Sequence, residues 1–177
     1  MTAITRIPQN TNYLQATKFL LTFDRIGSTQ YFCQSVNIPG VSIGQAPINT
    51  PMLDIFAPGN KITYSQLNLD FIVDEKLDSW QQIHNWFRSI ASPEGFGERK
   101  RLSDAQNQYK SGSGPKAYSD ATLTVLNNLN NPIVRVKFFN VFPISLSDIQ
   151  FDTKMSADDI VYASASFVFD YHNFEDI

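Results

Sequence analysis

The chain has 177 residues, with 14 Lys plus Arg against 17 Asp plus Glu, for a net charge of -3. Its 42% apolar content and 14 Phe exclude a disordered chain. No run reaches the roughly 18 apolar residues of a membrane helix, and a mildly acidic chain is poorly suited to gripping nucleic acid by phosphate neutralisation. One cysteine, Cys33, excludes an internal disulfide and a multi-thiolate metal site. Met1 to Asn12 is polar and has no apolar core of a secretory signal, which reads as a soluble protein of a reducing compartment. Only 18% of residues are charged, and 14 Asn, 11 Gln and 16 Ser supply the missing polarity, so the surface is expected to be polar but largely uncharged.

The dominant hydrophobic period is two, the period of a strand. Residues 17–25 put Phe19, Leu21 and Phe23 on one face. Gly27 and Ser28 supply a turn, and 30–38 returns with Phe32, Val36 and Ile38 on one side, stopped by Pro39-Gly40. Residues 61–73 read as one long strand in which Leu67, Leu69, Phe71 and Val73 alternate with Gln66, Asn68 and Asp70. Ile62 and Tyr64 have the opposite parity, which a bulge near Ser65 would reconcile.

A helix follows. Asp74 is a capping residue whose carboxylate can accept from free first-turn amides. Leu77, Trp80, Ile83, Trp86, Phe87 and Ile90 recur at spacings of three and four, and Ser92-Pro93 ends the run. Two tryptophans on one short helix make a large apolar plug for a sheet. Residues 93–119 then change character. Gly95, Gly97, Gly112, Gly114, two prolines and five cations against three acids describe an exposed loop of local charge +2, leaving -5 for the remainder. Strands resume at 120–126, 133–142, 146–153 and 160–171, the first two joined by an asparagine-rich turn at 127–132. In the last, Val161, Ala163, Ala165, Phe167, Phe169 and Tyr171 share a face.

About seven strands, one helix and no βαβ alternation define the expected class: mainly β (α+β), an antiparallel β-sandwich or barrel plugged by one helix, forming a single domain over 1–177. Residues 41–60 do not fit inside it. Four apolar runs are broken there by Pro47, Pro51, Pro58, Gly44 and Gly59. Such a loop would be a liability in a monomer, and an arm lying on a neighbouring subunit is the economical reading. An irregular flap folded over the chain's own core is the other.

No catalytic constellation emerges. His84 lies on the apolar helix without a carboxylate four residues away, His172 near the end of the last strand is expected to be solvated, and Cys33 reads as a small strand hydrophobe. Asp148, Asp152, Asp158 and Asp159 match no calcium-loop register and read as a solvated hairpin. Gly112-Ser113-Gly114 and Gly95-Phe96-Gly97 lack the Lys-Thr and helix of a phosphate cradle. Arg99, Lys100 and Arg101 form a short basic tip. No cofactor or metal is called for, and enzymatic activity is not expected.

The order of these elements resembles the tail tube family of contractile-tailed bacteriophages, similar in fold to the tube proteins of type VI secretion systems. The resemblance runs over about two-thirds of the chain. It takes in the aromatic strand Lys18–Asp24, the strand closing on Phe32-Cys33-Gln34-Ser35-Val36-Asn37-Ile38-Pro39-Gly40, and Gly59-Asn60-Lys61 leading into the long alternating strand. It continues through Asp78, Trp80, Asn85 and Trp86-Phe87-Arg88-Ser89-Ile90, then Val136–Pro143 and Phe167–Tyr171. Each piece is unspecific; order and spacing carry the match.

The resemblance implies a structural virion protein: a homo-hexameric ring, stacked with copies of itself into a conduit inside a contractile sheath, and assembled in the host cytoplasm. Each subunit then adds strands to a continuous inner barrel. The arm at 41–60 reaches a neighbour, with Ile48, Met52, Leu53, Ile55 and Phe56 as anchors. Gln34, Gln66, Asn68 and Asp70, with Ser164 and Ser166, become lumen-facing, since a DNA conduit does better neutral or acidic than basic. DNA would pass without specific binding, and sheath and baseplate proteins are the further partners. The loop 93–119 is longer and more basic than the family core requires, which places Arg99, Lys100 and Arg101 toward the sheath or the chain in a specialised ring. A baseplate or tube-initiator protein is the alternative within the class, a ligand-binding β-barrel the alternative outside it, and a hydrolase ranks last.

Overall fold

A computed structural model of the chain describes residues 12–27, 32–91, 93–95, 117–154, 156 and 159–177. The strands are β1 (Phe19–Phe23), β2 (Cys33–Val36), β3 (Val41–Asn49), β4 (Asp54–Tyr64) and β5 (Leu67–Ile72); after the helix α1 (Asp78–Ala91) come β6 (Ser119–Leu126), β7 (Pro132–Leu146), β8 (Tyr162–Val168) and β9 (Tyr171–Asp176). Among the described residues, seven of these nine strands form one antiparallel body, which agrees with the mainly β class, and β3 and β4 pair only with each other.

The body is two sheets sharing one long strand. In the first, the order is β1-β6-β7-β9, with Phe19–Phe23 registered on Val125–Ala121 and Val134–Phe139 on Asp176–Tyr171. In the second, the order is β2-β5-β8-β7, the last supplied by the C-terminal part of β7 from Phe142 to Leu146. The corner is turned at Asn140, whose φ of 56° lies in the left-handed region that Asn tolerates. The β6 register slips across it, between Ser119, opposite Val141, and Ala121, opposite Phe138. Its backbone amide donates to Asp120 Oδ1 at 3.2 Å and its Nδ2 to Asp170 Oδ2 at 2.6 Å. A bulge re-aims a strand in this way.

Strand alternation builds the core. Leu67, Leu69 and Phe71 are buried while Asn68 and Asp70 are exposed, and Ala163, Ala165 and Phe167 face them from β8. The helix closes the sandwich with Ile83 and Trp86, both fully buried. Phe23 meets Trp86 edge-on at 6.4 Å and Phe167 at 5.1 Å. Each tryptophan also nails a loop: Trp86 Nε1 donates to Ala117 O at 2.8 Å and Trp80 Nε1 to Ser147 O at 3.1 Å. Arg25 lies 5.3 Å from the Trp86 ring centroid and donates to Ser89 Oγ at 2.7 Å, and burial lowers its guanidinium to about 10. Trp86, Phe71, Phe138 and Phe167 fill the interior where a ligand-binding barrel would need room.

Asp74 caps α1 from four residues ahead. Its Oδ2 accepts from the Asp78 amide at 3.0 Å; its Oδ1 accepts from the Ser79 amide at 2.9 Å and Ser79 Oγ at 2.6 Å. Desolvation raises this carboxyl, but the Ser79 and Asp78 hydrogen bonds outweigh it and lower it to about 2. The helix therefore begins at Asp78, after Leu77 at φ 59°, and not directly behind Asp74. A group depressed in the folded state stabilises above its unfolded value near 3.9 and loses that contribution as pH falls toward about 2. Asp74→Ala is expected to cost about 1 kcal/mol at neutral pH, a cap lost at an exposed site. Urea melts at pH 7 and pH 2 check it, the difference from wild type shrinking at the lower pH.

Four readings of the strand pattern are corrected. Residues 61–73 are not one strand bulged at Ser65: Tyr64 ends β4 and Leu67 begins β5, in different sheets, which is why their parities disagree. Residues 41–60 are a β-hairpin arm and not an irregular loop or flap. The expected strand at 146–153 is absent; β7 itself runs to Leu146, and Asp152 turns back to accept from the Lys154 amide at 2.9 Å. The stretch 160–171 is β8 plus the start of β9, so Tyr171 changes sheet and stands exposed, stacked on Phe139 at 4.6 Å.

Candidate functional site

Among the described residues, the β3-β4 hairpin forms a two-stranded sheet of its own, here called the arm. Strand β3 pairs with β4 from Val41↔Tyr64 at the root to Asn49↔Asp54 at the tip. Thr50 closes the turn, its Oγ1 hydrogen-bonded to Leu53 O and accepting from the Leu53 amide at 3.2 Å. Directly opposed residues share a face. Ile48↔Ile55 and Ala46↔Ala57 therefore make one apolar face near the tip, with Pro47↔Phe56 and Asn49↔Asp54 on the other. The five proposed anchors Ile48, Met52, Leu53, Ile55 and Phe56 all lie here, exposed from 51% at Ile55 to 97% at Met52. Val41, Ile43 and Ile62 extend the apolar surface toward the root, and the sequence reading missed them because they were assigned to loop and strand ends. A two-stranded hairpin is marginal in water, and one that presents apolar side chains this way needs a cover.

The arm bends at a bulge between Ile43 and Gln45, where Gly59 lies against Gly44. A Cβ on Gly59 would sit 2.5 Å from Gly44 O and 3.0 Å from its carbonyl carbon, both backbone atoms that cannot swing aside. Gly59→Ala is expected to disturb amide shifts and exchange across 41–64 while body stability changes by less than about 0.5 kcal/mol. Disturbance spreading to β5 or β8 would refute this separation of arm from body.

The second candidate surface is the outer face of the β2-β5-β8 sheet. Asn68 and Asp70 project from β5, Ser164 and Ser166 from β8 opposite them, and Gln66 lies exposed just before β5. In β2 the register shifts between Cys33 and Ser35, so Gln34 and Ser35 both turn outward while Cys33 and Val36 pack against the core. The polar groups tie to one another: Ser35 Oγ donates to Asp70 Oδ2 at 2.6 Å, Ser166 Oγ to Asn68 Oδ1 at 2.9 Å, and the Asn68 amide to Asn37 Oδ1 at 2.6 Å. Asn37 Nδ2 returns a bond to Gln66 O at 3.0 Å. Gln34, Gln66, Asn68 and Asp70 are thus brought onto one polar wall. Asn37 is its unforeseen clamp, legible only as an Asn ahead of Ile38-Pro39-Gly40. A shallow cleft of about 420 Å³ opens beside Gln34, Ser35, Asp70, Tyr162 and Ser164.

Desolvation, with the charge of Asp70 second, pushes the Cys33 thiol up to about 11, so it is a thiol and not a nucleophilic thiolate at neutral pH. His84 stacks on Trp80 at 5.1 Å. His172 is not solvated as expected but half-buried, set among aromatic rings at the arm root. Among the described residues no three His, Cys, Asp or Glu side chains converge as metal ligands. Arg99, Lys100, Arg101, Asp158 and the Gly112-Ser113-Gly114 stretch lie outside the described residues.

A family model described as phage tail tube protein matches residues 6–175. The chain belongs to that family. The tail tube terminator protein of Enterobacteria phage T4 is 26% identical over 174 residues, 93% of this chain and 90% of that protein. Among solved structures, the tube-terminating cap of the anti-feeding prophage superposes with a TM-score of 0.65 at 16% identity, over 99% of this chain and 100% of that one. The sheath/tube terminator of an extracellular contractile injection system, PVC, in its extended state gives 0.63 at 16% identity, over 94% and 99%. At such identities the structures speak for the fold, which is that of tail tube proteins and terminators of contractile systems. The chain is a structural protein of this tube or terminator kind.

Proposed function

We propose that this protein is a ring-forming tail subunit, six copies closing around a lumen, and that it terminates a tail tube. The observation that carries the ring is the arm, whose apolar residues stand exposed among the described residues and would fit an adjacent copy. The edges of the polar-walled sheet support the same reading. Among the described residues that sheet has four strands, β2 and the 142–146 part of β7 at its two edges, and every neighbour antiparallel. With an even number of strands the edges run oppositely, so β2 of one copy beside β7 of the next continues the antiparallel pattern. Such a heterologous contact closes into a ring and leaves no edge exposed.

In that ring the wall of Gln34, Gln66, Asn68 and Asp70 lines the lumen. It offers one carboxylate and no cation per subunit among these four, and so repels phosphate and lets DNA slide without specific binding. The terminal position is supported by the T4 tail tube terminator as relative and by two terminators among the similar folds. Tube and sheath proteins are then its partners in the virion, with assembly in the host cytoplasm and Arg99, Lys100 and Arg101 toward the sheath. A repeating subunit of the tube itself is the second reading, favoured by the family description.

Sedimentation and negative-stain microscopy of the purified chain, alone and mixed with tubes, test both. A terminator is expected to give single rings that seat on tube ends and stop growth. Long tubes made of this chain alone would sink the terminal position, and monomers at every concentration, with or without tubes, would sink the ring.

A further inference from the structure

The arm meets the body at the Tyr64 ring. Tyr64, the last residue of β4, stands 5.0 Å from the His172 ring and 5.5 Å from that of Phe169. His172 on β9 is enclosed by Phe174 at 5.3 Å, Phe138 at 5.6 Å and Phe169 at 5.8 Å. Its Nδ1 is buried with no hydrogen-bond partner. Tyr64 is also the residue that pairs with Val41, and the next amide, Ser65, donates to Gly40 O at 2.9 Å. Both strands of the arm therefore leave the body beside a titratable side chain held in a hydrocarbon cage.

We propose that His172 is a protonation-sensitive anchor of the arm: the neutral imidazole keeps Tyr64 and the arm root docked, and the imidazolium releases them. This regulates the surface assigned above to ring assembly and rests on that reading for its consequence, although the anchor itself is a property of one subunit.

The physical reason is local. A neutral ring protonated on Nε2 leaves only a bare lone pair at Nδ1. The second proton must sit on Nδ1, as a buried donor without an acceptor and as a charge among aromatic rings. Burial accordingly lowers His172 below its ordinary value. Among the described residues no neighbouring charge offsets this. On β9, Glu175 shares the opposite face with Lys137 of β7, its partner at 2.8 Å, and Asp176 lies beyond Phe174. Arg135 of β7 pairs in register with Glu175 on that same opposite face, Asp170 accepts from Asn140, and β4 brings Tyr64 and, further out, the cation Lys61. With the folded value depressed, docking is fully favoured above the ordinary imidazole value of about 6.5 and is lost as pH falls through it toward the lower folded value.

The test is amide exchange at Val41, Tyr64 and Ser65 in the full-length protein, with the His172 ring followed by NMR titration. Between about pH 7.5 and pH 5, root exchange corrected for its intrinsic pH dependence is expected to rise about tenfold in wild type and less than about twofold in His172→Phe. His172→Gln serves if the phenylalanine variant does not fold. Equal responses in wild type and variant, or a His172 that titrates at or above its ordinary value because the rings favour its cation, would overturn the proposal. Ring formation is scored separately by sedimentation at both pH values. A pH-responsive root without rings at either pH sinks the assembly reading alone; rings at both with an unresponsive root sink the anchor alone.

Discussion

Replacing Ile48 and Ile55 together by aspartate is expected to abolish ring assembly and leave the subunit folded. The two side chains face each other across the hairpin and neither belongs to the core cluster. In isolation the variant trades apolar surface already facing water for charge facing water, so its urea midpoint should move by no more than about 0.5 kcal/mol of stability. In a ring the balance reverses. Each isoleucine forfeits about 1.5–3 kcal/mol of burial, and two carboxylates enter an apolar contact without partners, at several kcal/mol more. Each interface should therefore weaken by at least about a hundredfold, which is only some 3 kcal/mol. Sedimentation velocity reads the loss as a shift from rings to monomers. Rings that persist would show that the tip faces solvent in the assembly. Loss of the folded monomer would show that the arm covers its own core after all.

Trp86→Ala acts at the opposite end of the molecule's economy and is expected to remove about 3–5 kcal/mol of folding stability. Trp86 is fully buried and touches both sheets through Phe23 and Phe167. Its loss opens a cavity that flanking rings cannot fill without leaving their rotamers. It also strips the Ala117 carbonyl of its donor and removes the ring facing the Arg25 guanidinium. Since small domains hold about 5–15 kcal/mol in total, the variant should be near or past unfolding at growth temperature. Trp86→Phe keeps most of the apolar volume and loses the indole donor, and should cost about 1–2 kcal/mol. Equilibrium urea unfolding of both variants checks the ordering, and equal losses would mean that the hydrogen bond, not the volume, is the larger part.

How much of this was legible beforehand divides by the range of the interaction. Within β5 and β8 the alternation Leu67-Asn68-Leu69-Asp70-Phe71 and Ala163 to Phe167 announced both strand and buried face, because one side of each pleat faces the core and the other water. The helix announced itself through Leu77, Trp80, Ile83 and Trp86. Its first turn did not, since Asp74 caps through a bend at Leu77 whose left-handed backbone no periodicity encodes. The arm was found by its prolines and exposed apolar runs, but its hairpin pairing was hidden, because Pro47, Pro51, Pro58 and the Gly44–Gly59 bulge interrupt the period that marks a strand. His172, expected to be solvated near the end of the last strand, is instead half-buried, because Asp170 and Asn140 carry the chain across to the other sheet, a step that no local period encodes.

The pattern of aromatic, amide and proline residues along the chain, then, determined by itself which residues seek a core, that the sheets are antiparallel, and that one proline-bounded segment, 41–60, stands apart from the strands of the body. Hydrophobic period and turn chemistry are local, and they suffice for that. Only the tertiary structure decided where strands change sheet, that residues 61–73 serve two sheets, that Gln34 joins Asn68 and Asp70 on one wall, and that the arm is rooted on a histidine. These depend on register slips at Cys33–Ser35 and around Asn140. A slip of one residue reverses every side chain after it, and its position is set by packing between distant strands, which no stretch of the chain contains alone.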